Sequence, residues 1–326
     1  MPAPYNGRIE SQVMQRIILV LLFIVVGVTC LGTAAGVWLA HRDPLAALPR
    51  PTPGSPSIVE DDRRIAGRRL FHVVIDDATV GRVGFTVSLP DPVPAAPIPV
   101  AFVLGGLGRG GANMAPIRDA GANALIGFDW PIPPRLPKGF GFVRQGPDLH
   151  GRLMAVPGQV LAALDWALAT PWADGKRISI LGFSLGALAA PAVQRLAAVH
   201  GRRVGWTVLA YGGAGLGDLL SAHPRLRPTW ARPLLGALAD VLLRPIEPAV
   251  HLPHLEGSFL VLAGRDDRLV PAGPAARLRD LTPEPKTVVL FDGDHMGVGA
   301  NQRELLTQII AASRDWLVAE GAVNEP

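Results

Sequence analysis

The sequence predicts an α/β fold: a mostly parallel, doubly wound sheet with a helical cap insertion, preceded by an N-terminal transmembrane helix. Three observations lead there. Short, nearly continuous apolar runs alternate with helix-period segments, the pattern of parallel strands covered on both faces and joined by crossover helices. About 40 residues from 212 to 253, rich in Pro, Leu and Arg, interrupt that alternation where a short connection is normal. Near the N-terminus, Ile17 to Ala40 form 24 consecutive positions without a formal charge.

A bilayer-crossing helix needs roughly 20 apolar residues, so 17–40 reads as a transmembrane helix or signal anchor. Thr33-Ala34-Ala35-Gly36 resembles a cleavage site, but the apolar run continues through Val37-Trp38-Leu39-Ala40, which favours a retained anchor. Arg8 and Arg16 on one side nearly balance Arg42 and Arg50 on the other. The expectation is a short tail at 1–16, a membrane anchor, and an extracytoplasmic remainder. Five prolines between Asp43 and Ser57 disfavour helix and make 41–64 a linker, ending in the mixed-charge, solvated patch Glu60-Asp61-Asp62-Arg63-Arg64. The folded domain is expected over 65–326.

Within it, Phe71 to Ile75 and Gly84 to Leu89 are β-branched runs suited to an antiparallel pair at a sheet edge. Pro99 to Leu104, Ala124 to Phe128, Ile178 to Leu181, Trp206 to Ala210, Phe259 to Ala263 and Thr287 to Phe291 read as buried parallel strands. Helical periodicity marks Gly158 to Thr170, Leu185 to His200 and Gln302 to Glu320. Trp230, Leu234, Leu235, Leu238, Leu242 and Leu243 recur at near-helical spacing in the cap, where they could cover an apolar substrate or pack on the domain.

Composition excludes several functions. With 49% apolar and 18% charged residues the chain can bury a large core. A net charge of +4, dispersed and carried almost wholly by arginine, argues against a nucleic-acid partner. The single cysteine, Cys30, lies in the apolar run, so no disulfide framework or thiolate metal cluster is expected.

The chemistry lies in Ile178-Ser179-Ile180-Leu181-Gly182-Phe183-Ser184-Leu185-Gly186-Ala187, an apolar strand running through G-x-S-x-G into an Ala/Leu-rich helix. That context separates it from a chance match, because a serine on a sharp strand-to-helix turn is lifted clear of the sheet at a helix N-terminus. Here the chain resembles the α/β-hydrolase superfamily, over approximately residues 70–320. A serine hydroxyl needs a base, and the base needs an acid to fix its tautomer.

The resemblance supplies both in the expected chain order. Gly264-Arg265-Asp266-Asp267-Arg268-Leu269-Val270-Pro271 is similar to the family's loop after a late strand and implies Asp267 as the acid, with Asp266 as the alternative. Asp292-Gly293-Asp294-His295-Met296-Gly297 precedes the closing helix and implies His295 as the base. His41, His150, His200, His223, His251 and His254 read as surface or packing residues.

The loop Gly105-Gly106-Leu107-Gly108 stands where the family often has His-Gly-x-Gly; it lacks the histidine but keeps the backbone N–H groups. Leu107 and Leu185 are the implied oxyanion donors, with Gly106 if the register differs by one. As a phosphate cradle the same glycine-rich loop lacks the Gly-Lys-Ser/Thr of a P-loop. Asp129-Trp130-Pro131-Ile132-Pro133-Pro134 could wall an acyl pocket or form a stiff surface loop.

The resemblance implies a cofactor-free and metal-free serine hydrolase that takes a small-molecule acyl substrate, near dienelactone-hydrolase-like or thioesterase-like members. The alternatives are a thioesterase, a peptidase, or a silent hydrolase-like domain that binds a lipid or protein partner at the membrane.

Overall fold

The computed structural model describes residues 32, 36–37, 41–133, 140–224, 226, 228–296 and 302–325, with backbone alone at 140, 142 and 143. Residues from Pro44 onward form one compact unit; the unit before it, Met1–Asp43, is almost entirely outside the described residues.

A nine-stranded sheet organises the larger unit: β1 (Ser57–Ile65), β2 (Arg68–Asp77), β3 (Gly81–Pro90), β4 (Ile98–Leu104), β5 (Ala124–Phe128), β6 (Ala173–Phe183), β7 (Trp206–Ala210), β8 (Ser258–Gly264) and β9 (Lys286–Phe291). Spatial order is β1-β2-β3-β5-β4-β6-β7-β8-β9. The β1–β2, β2–β3 and β3–β5 pairs are antiparallel and the others parallel. The order in which strands are added reverses at β4, which is followed in sequence by β5 on one flank and then by β6 on the other. At such a switch point a crevice opens beyond the carboxyl ends of the strands.

Helices cover both faces. Along β4, Val100, Phe102 and Leu104 join the core shared with α2 (Phe140–Leu168) and α3 (Leu185–Val199). Ala101 and Val103 face the second core, under α1 (Gly110–Met114) and α8 (Gln302–Ala319). This period-two division explains the continuous apolar runs: each side chain has a buried face to occupy. β9 departs from that expectation, since Val288 and Leu290 are 38% and 39% exposed. It is the sheet's outer strand, and its apolar residues are covered on one side only.

The segment read as a spacer carries structure. Leu45 and Leu48 are buried in the first core. Ser57–Ile65 pairs with β2 although every one of its side chains is exposed, so the strand is held by its backbone ladder and by surface ion pairs, Asp62 with Arg69 at 2.6 Å and Arg64 with Asp91 at 2.9 Å. Asp77, at the end of β2, ties the preceding chain down: its carboxylate accepts from the Thr52 N–H (2.7 Å), the Ser55 hydroxyl (2.7 Å) and the Thr79 and Val80 N–H groups (both 2.8 Å).

Residues 212–254 hold α4 (Leu216–Ala222), α5 (Arg232–Leu242) and α6 (Pro248–His251); α7 (Ala272–Leu281) follows β8. Glu247 joins these pieces, accepting from the Gly215 (2.7 Å), Leu216 (2.6 Å) and Ala249 (3.0 Å) amides while itself buried. Helix α5 packs through its small residues Gly236 and Ala239. Of the predicted stripe, Trp230, Leu234, Leu238 and Leu242 are exposed while Leu235 and Leu243 are half-buried, so most of it does not pack on the domain.

The transmembrane or signal-anchor helix expected over 17–40, and with it the membrane-anchored, extracytoplasmic location, is corrected. No helix among the described residues is long and apolar enough to cross a membrane. The expected span itself lies almost wholly outside the described residues. An uncharged run meets the length condition for a span, but it does not by itself make a helix. Both described helices of 18 residues or more carry charged residues, including Asp148 and Arg152 on α2 and Arg314 and Asp315 on α8.

Two stability measurements follow from the buried carboxylates. Glu247→Ala leaves three amides without their acceptor and should lower the unfolding free energy in urea by about 3 kcal/mol. For Asp77, burial is the largest influence and raises the carboxyl pKa, yet the bonds from Ser55, Val80, Thr79 and Thr52 together hold it below the ordinary value. A depressed folded-state value gives stability that is complete above the unfolded value, about 3.9, and lost as pH falls through the folded one. The stability difference between wild type and Asp77→Asn should therefore be full above about pH 4 and shrink on acidification below it.

Candidate active site

β6 ends at Phe183 and α3 begins at Leu185, leaving one residue for the turn. Ser184 makes it with φ 54° and ψ −112°, a conformation rarely occupied by a residue with a Cβ. Its N–H donates to the Ala210 carbonyl at the end of β7 (2.8 Å), and its carbonyl accepts from the Ala187 N–H (3.0 Å). So tight a turn presses the helix onto the sheet. A Cβ on Gly182 would lie 2.8 Å from the Gly186 carbonyl oxygen, and one on Gly186 would overlap the Leu104 carbonyl. Both glycines of the motif are thus set by space.

The structure brings Ser184, His295 and Asp267 together in one hydrogen-bonded chain. Ser184 Oγ is 2.8 Å from His295 Nε2, and His295 Nδ1 is 2.8 Å from Asp267 Oδ2. Both ionisable side chains are nearly enclosed, 6% exposed for His295 and 5% for Asp267. A carboxylate only accepts, so Nδ1 carries the hydrogen toward Asp267 and leaves the Nε2 lone pair for the Ser184 hydroxyl. The other Asp267 oxygen accepts from the Leu269 (2.8 Å) and Val270 (2.9 Å) amides. Asp266, the alternative acid, is exposed, and the carboxylate on His295 Nδ1 is that of Asp267.

Two further residues surround His295, and the sequence gives neither a role. Asp294 accepts from the Arg268 (3.0 Å) and His295 (2.7 Å) amides and pairs with the Arg268 guanidinium at 3.1 Å, joining the loops that carry Asp267 and His295. Those backbone bonds, Arg268's first and His295's second, hold its carboxyl below the usual range. Its position directly before His295 was the available signal. Tyr211, beyond β7, takes φ 56° and sets its ring edge-on to the imidazole with centroids 5.6 Å apart. Its hydroxyl is buried without a partner among the described residues. Burial first, and the Asp267 charge second, push its pKa up to about 12. Nothing in the sequence marks this tyrosine.

The candidate oxyanion donors lie beside the serine. Leu185 is the first residue of α3, so its N–H has no carbonyl one turn back within the helix. Leu104 pairs with Gly182 across the β4–β6 ladder, which starts the Gly105–Gly108 loop level with the elbow. Leu107 sits on that loop with a 41% exposed side chain.

Of the other histidines, His150 bonds the Leu242 carbonyl, His200 the Leu196 carbonyl and His251 the Pro245 carbonyl, so each is engaged away from Ser184. Removing the unpartnered hydroxyl in Tyr211→Phe should raise the unfolding free energy by about 1 kcal/mol, measured in urea, because a buried donor without an acceptor is a net cost.

No family model and no curated protein matches the sequence. Solved structures do. An acetyl xylan esterase from Paenibacillus sp. R4 superposes with a TM-score of 0.59 at 16% identity, covering 85% of this chain and 92% of that one. Acetyl xylan esterase 1 from Thermoanaerobacterium sp. JW/SL YS485 gives 0.52 at 13% identity over 79% and 88%. An S-formylglutathione hydrolase from Agrobacterium tumefaciens gives 0.52 at 16% over 79% and 97%. The strand order, the serine elbow and these likenesses agree: the chain has the fold of the α/β-hydrolase superfamily.

Proposed function

We propose that the protein is a serine hydrolase that cleaves a carboxylic ester of a small acyl group through an acyl-enzyme. The observation that carries this is the Ser184–His295–Asp267 chain, with both contacts at 2.8 Å, mounted on a strained strand-to-helix elbow. The fold neighbours support it, since their names give acetyl and formyl groups as the acyl parts.

Ser184 Oγ attacks the ester carbonyl as His295 Nε2 takes its proton. Asp267 holds the imidazole in the tautomer that leaves Nε2 free and offsets the charge it gains. Negative charge collects on the former carbonyl oxygen, where the Leu107 and Leu185 amides donate to it, each worth roughly 3 to 4 kcal/mol in serine hydrolases. Collapse breaks the bond to the alkoxy oxygen, which leaves with the proton from His295. Water then attacks the acyl-enzyme, giving its proton to His295, and the carboxylic acid departs as Ser184 regains its hydrogen.

A chain-length series of chromogenic acyl esters tests the reading. Turnover should be greatest for the shortest acyl groups and absent in Ser184→Ala; equal turnover in that variant would sink the assignment. Asp267→Asn should lower kcat by about 10⁴-fold while the protein stays folded, since an amide presents the wrong partner to Nδ1.

A further inference from the structure

The N–H groups of the Gly105–Gly108 loop can serve an oxyanion only if something outside the loop fixes their direction. We propose that Asn113 and Trp130 are positioning residues that turn the Gly106 and Leu107 N–H groups toward the serine. This inference rests on reading Ser184 as the nucleophile and that loop as its oxyanion site.

The Asn113 Nδ2 group donates to the Gly106 carbonyl at 3.1 Å, and the Trp130 indole N–H donates to the Gly105 carbonyl at 3.0 Å. In a trans peptide the C=O and the following N–H share a plane and point in opposite directions. Holding the Gly105 carbonyl therefore fixes the Gly106 N–H, and holding the Gly106 carbonyl fixes the Leu107 N–H.

Sheet order supplies the direction. Trp130 follows β5, Ser184 follows β6, and β4 lies between them. Carbonyls drawn toward the β5 side thus turn their partner N–H groups toward the β6 side, where the serine stands. Asn113 is on the β5 side as well: its helix, α1, is seated so closely that a Cβ on Gly110 would overlap the Gly127 carbonyl of β5.

The clamp is itself anchored. The Trp130 backbone N–H bonds the Gly108 carbonyl at 3.2 Å, and its ring is 7% exposed and set edge-on to Phe128 at 5.8 Å. One Asp129 oxygen accepts from the Gly110 amide at 2.5 Å, and the other meets His72 Nε2 at 3.0 Å. This gives the Asp129-Trp130 corner a role distinct from walling an acyl pocket or forming a surface loop.

The experiment compares wild type, Ser184→Ala, Trp130→Phe and Asn113→Asp on a short acyl ester, with inhibition by an alkylboronic acid whose serine adduct mimics the tetrahedral intermediate. Each clamp variant removes one donor and keeps the side chain's approximate size; Asn113→Asp keeps the inference testable should the buried tryptophan be needed for folding. Expected is a kcat lowered about ten- to a hundredfold, with KM within about twofold and boronate affinity weakened in step with kcat, since a misaimed oxyanion donor penalises the transition state and not the bound ester. A packing role would lower the melting temperature without that split. Wild-type kcat and boronate affinity in both clamp variants, with Ser184→Ala inactive, overturns this inference alone. No ester turnover by wild type, or full activity in Ser184→Ala, overturns the reading beneath it as well.

Discussion

The approach of α3 to the end of β4 is the constraint on which this end of the molecule depends. Gly186 lies against the Leu104 carbonyl with no room for a Cβ, and Gly182 lies against the first turn of the same helix. Helix and sheet can meet so closely because α3 turns small residues inward: Ala187, Ala190, Ala192 and Ala197 are fully buried. The contact forces the chain to reverse within one residue, and Ser184 takes the positive φ. Such a conformation costs on the order of 1 to 3 kcal/mol and persists only where its surroundings enforce it. Here they are the hydrogen bond to Ala210 and the packed helix behind it. The same contact sets the Gly105–Gly108 loop beside the elbow, so the nucleophile and the groups that could receive the oxyanion are placed by one packing decision.

Asp267 and His295 are held differently. Both ride on loops beyond β8 and β9, near the open edge of the sheet, where packing is thinner and hydrogen bonds must fix the geometry. Arg265 N–H reaches the Phe291 carbonyl at 2.9 Å and Asp266 N–H the Gly293 carbonyl at 3.3 Å, extending the β8–β9 pairing past the strands. Asp294 crosses between the same two loops, and both Asp267 oxygens are engaged. With the carboxylate pinned by two amides, the imidazole has one orientation that satisfies Nδ1, and that orientation presents Nε2 to the serine. Tyr211 closes the remaining side by contact alone.

Legibility in the sequence follows which forces are local. β4 to β8 could be read because burial on both faces writes itself as an unbroken apolar run, and the elbow because its glycines are demanded by contacts within one strand-turn-helix unit. β1 could not: its side chains are all exposed, its ladder is made by backbone groups every residue possesses, and the ion pairs of Asp62 and Arg64 lie at the surface, so Glu60 to Arg64 look like any solvated patch. For β9 the apolar run predicts a buried strand, since such a run does not record that the neighbour on one side is solvent. In the cap, leucines at near-helical spacing suggest a stripe that covers a substrate or packs on the domain, whereas in α5 Gly236 and Ala239 are the buried residues and Leu234, Leu238 and Leu242 are exposed. Periodicity shows that a helix has two faces, not which one is covered. The uncharged run at 17–40 misled in a related way, length and apolarity being conditions for a span and not evidence of one.

What the sequence least reveals is the oxyanion loop, because its chemistry belongs to the backbone. Gly105-Gly106-Leu107-Gly108 carries donors whatever its side chains are, so inspecting those four residues cannot tell whether the N–H groups converge. Direction is imposed from outside, by Asn113 one turn into the next helix and by Trp130 at the end of another strand, each holding a carbonyl so that the opposite end of its peptide points across β4. The histidine absent from this loop would have been a side chain, and the groups that bind an oxyanion need not be. Judging such a site requires asking what holds each peptide plane, and in this fold the answer lies on the strand flanking β4 away from the serine.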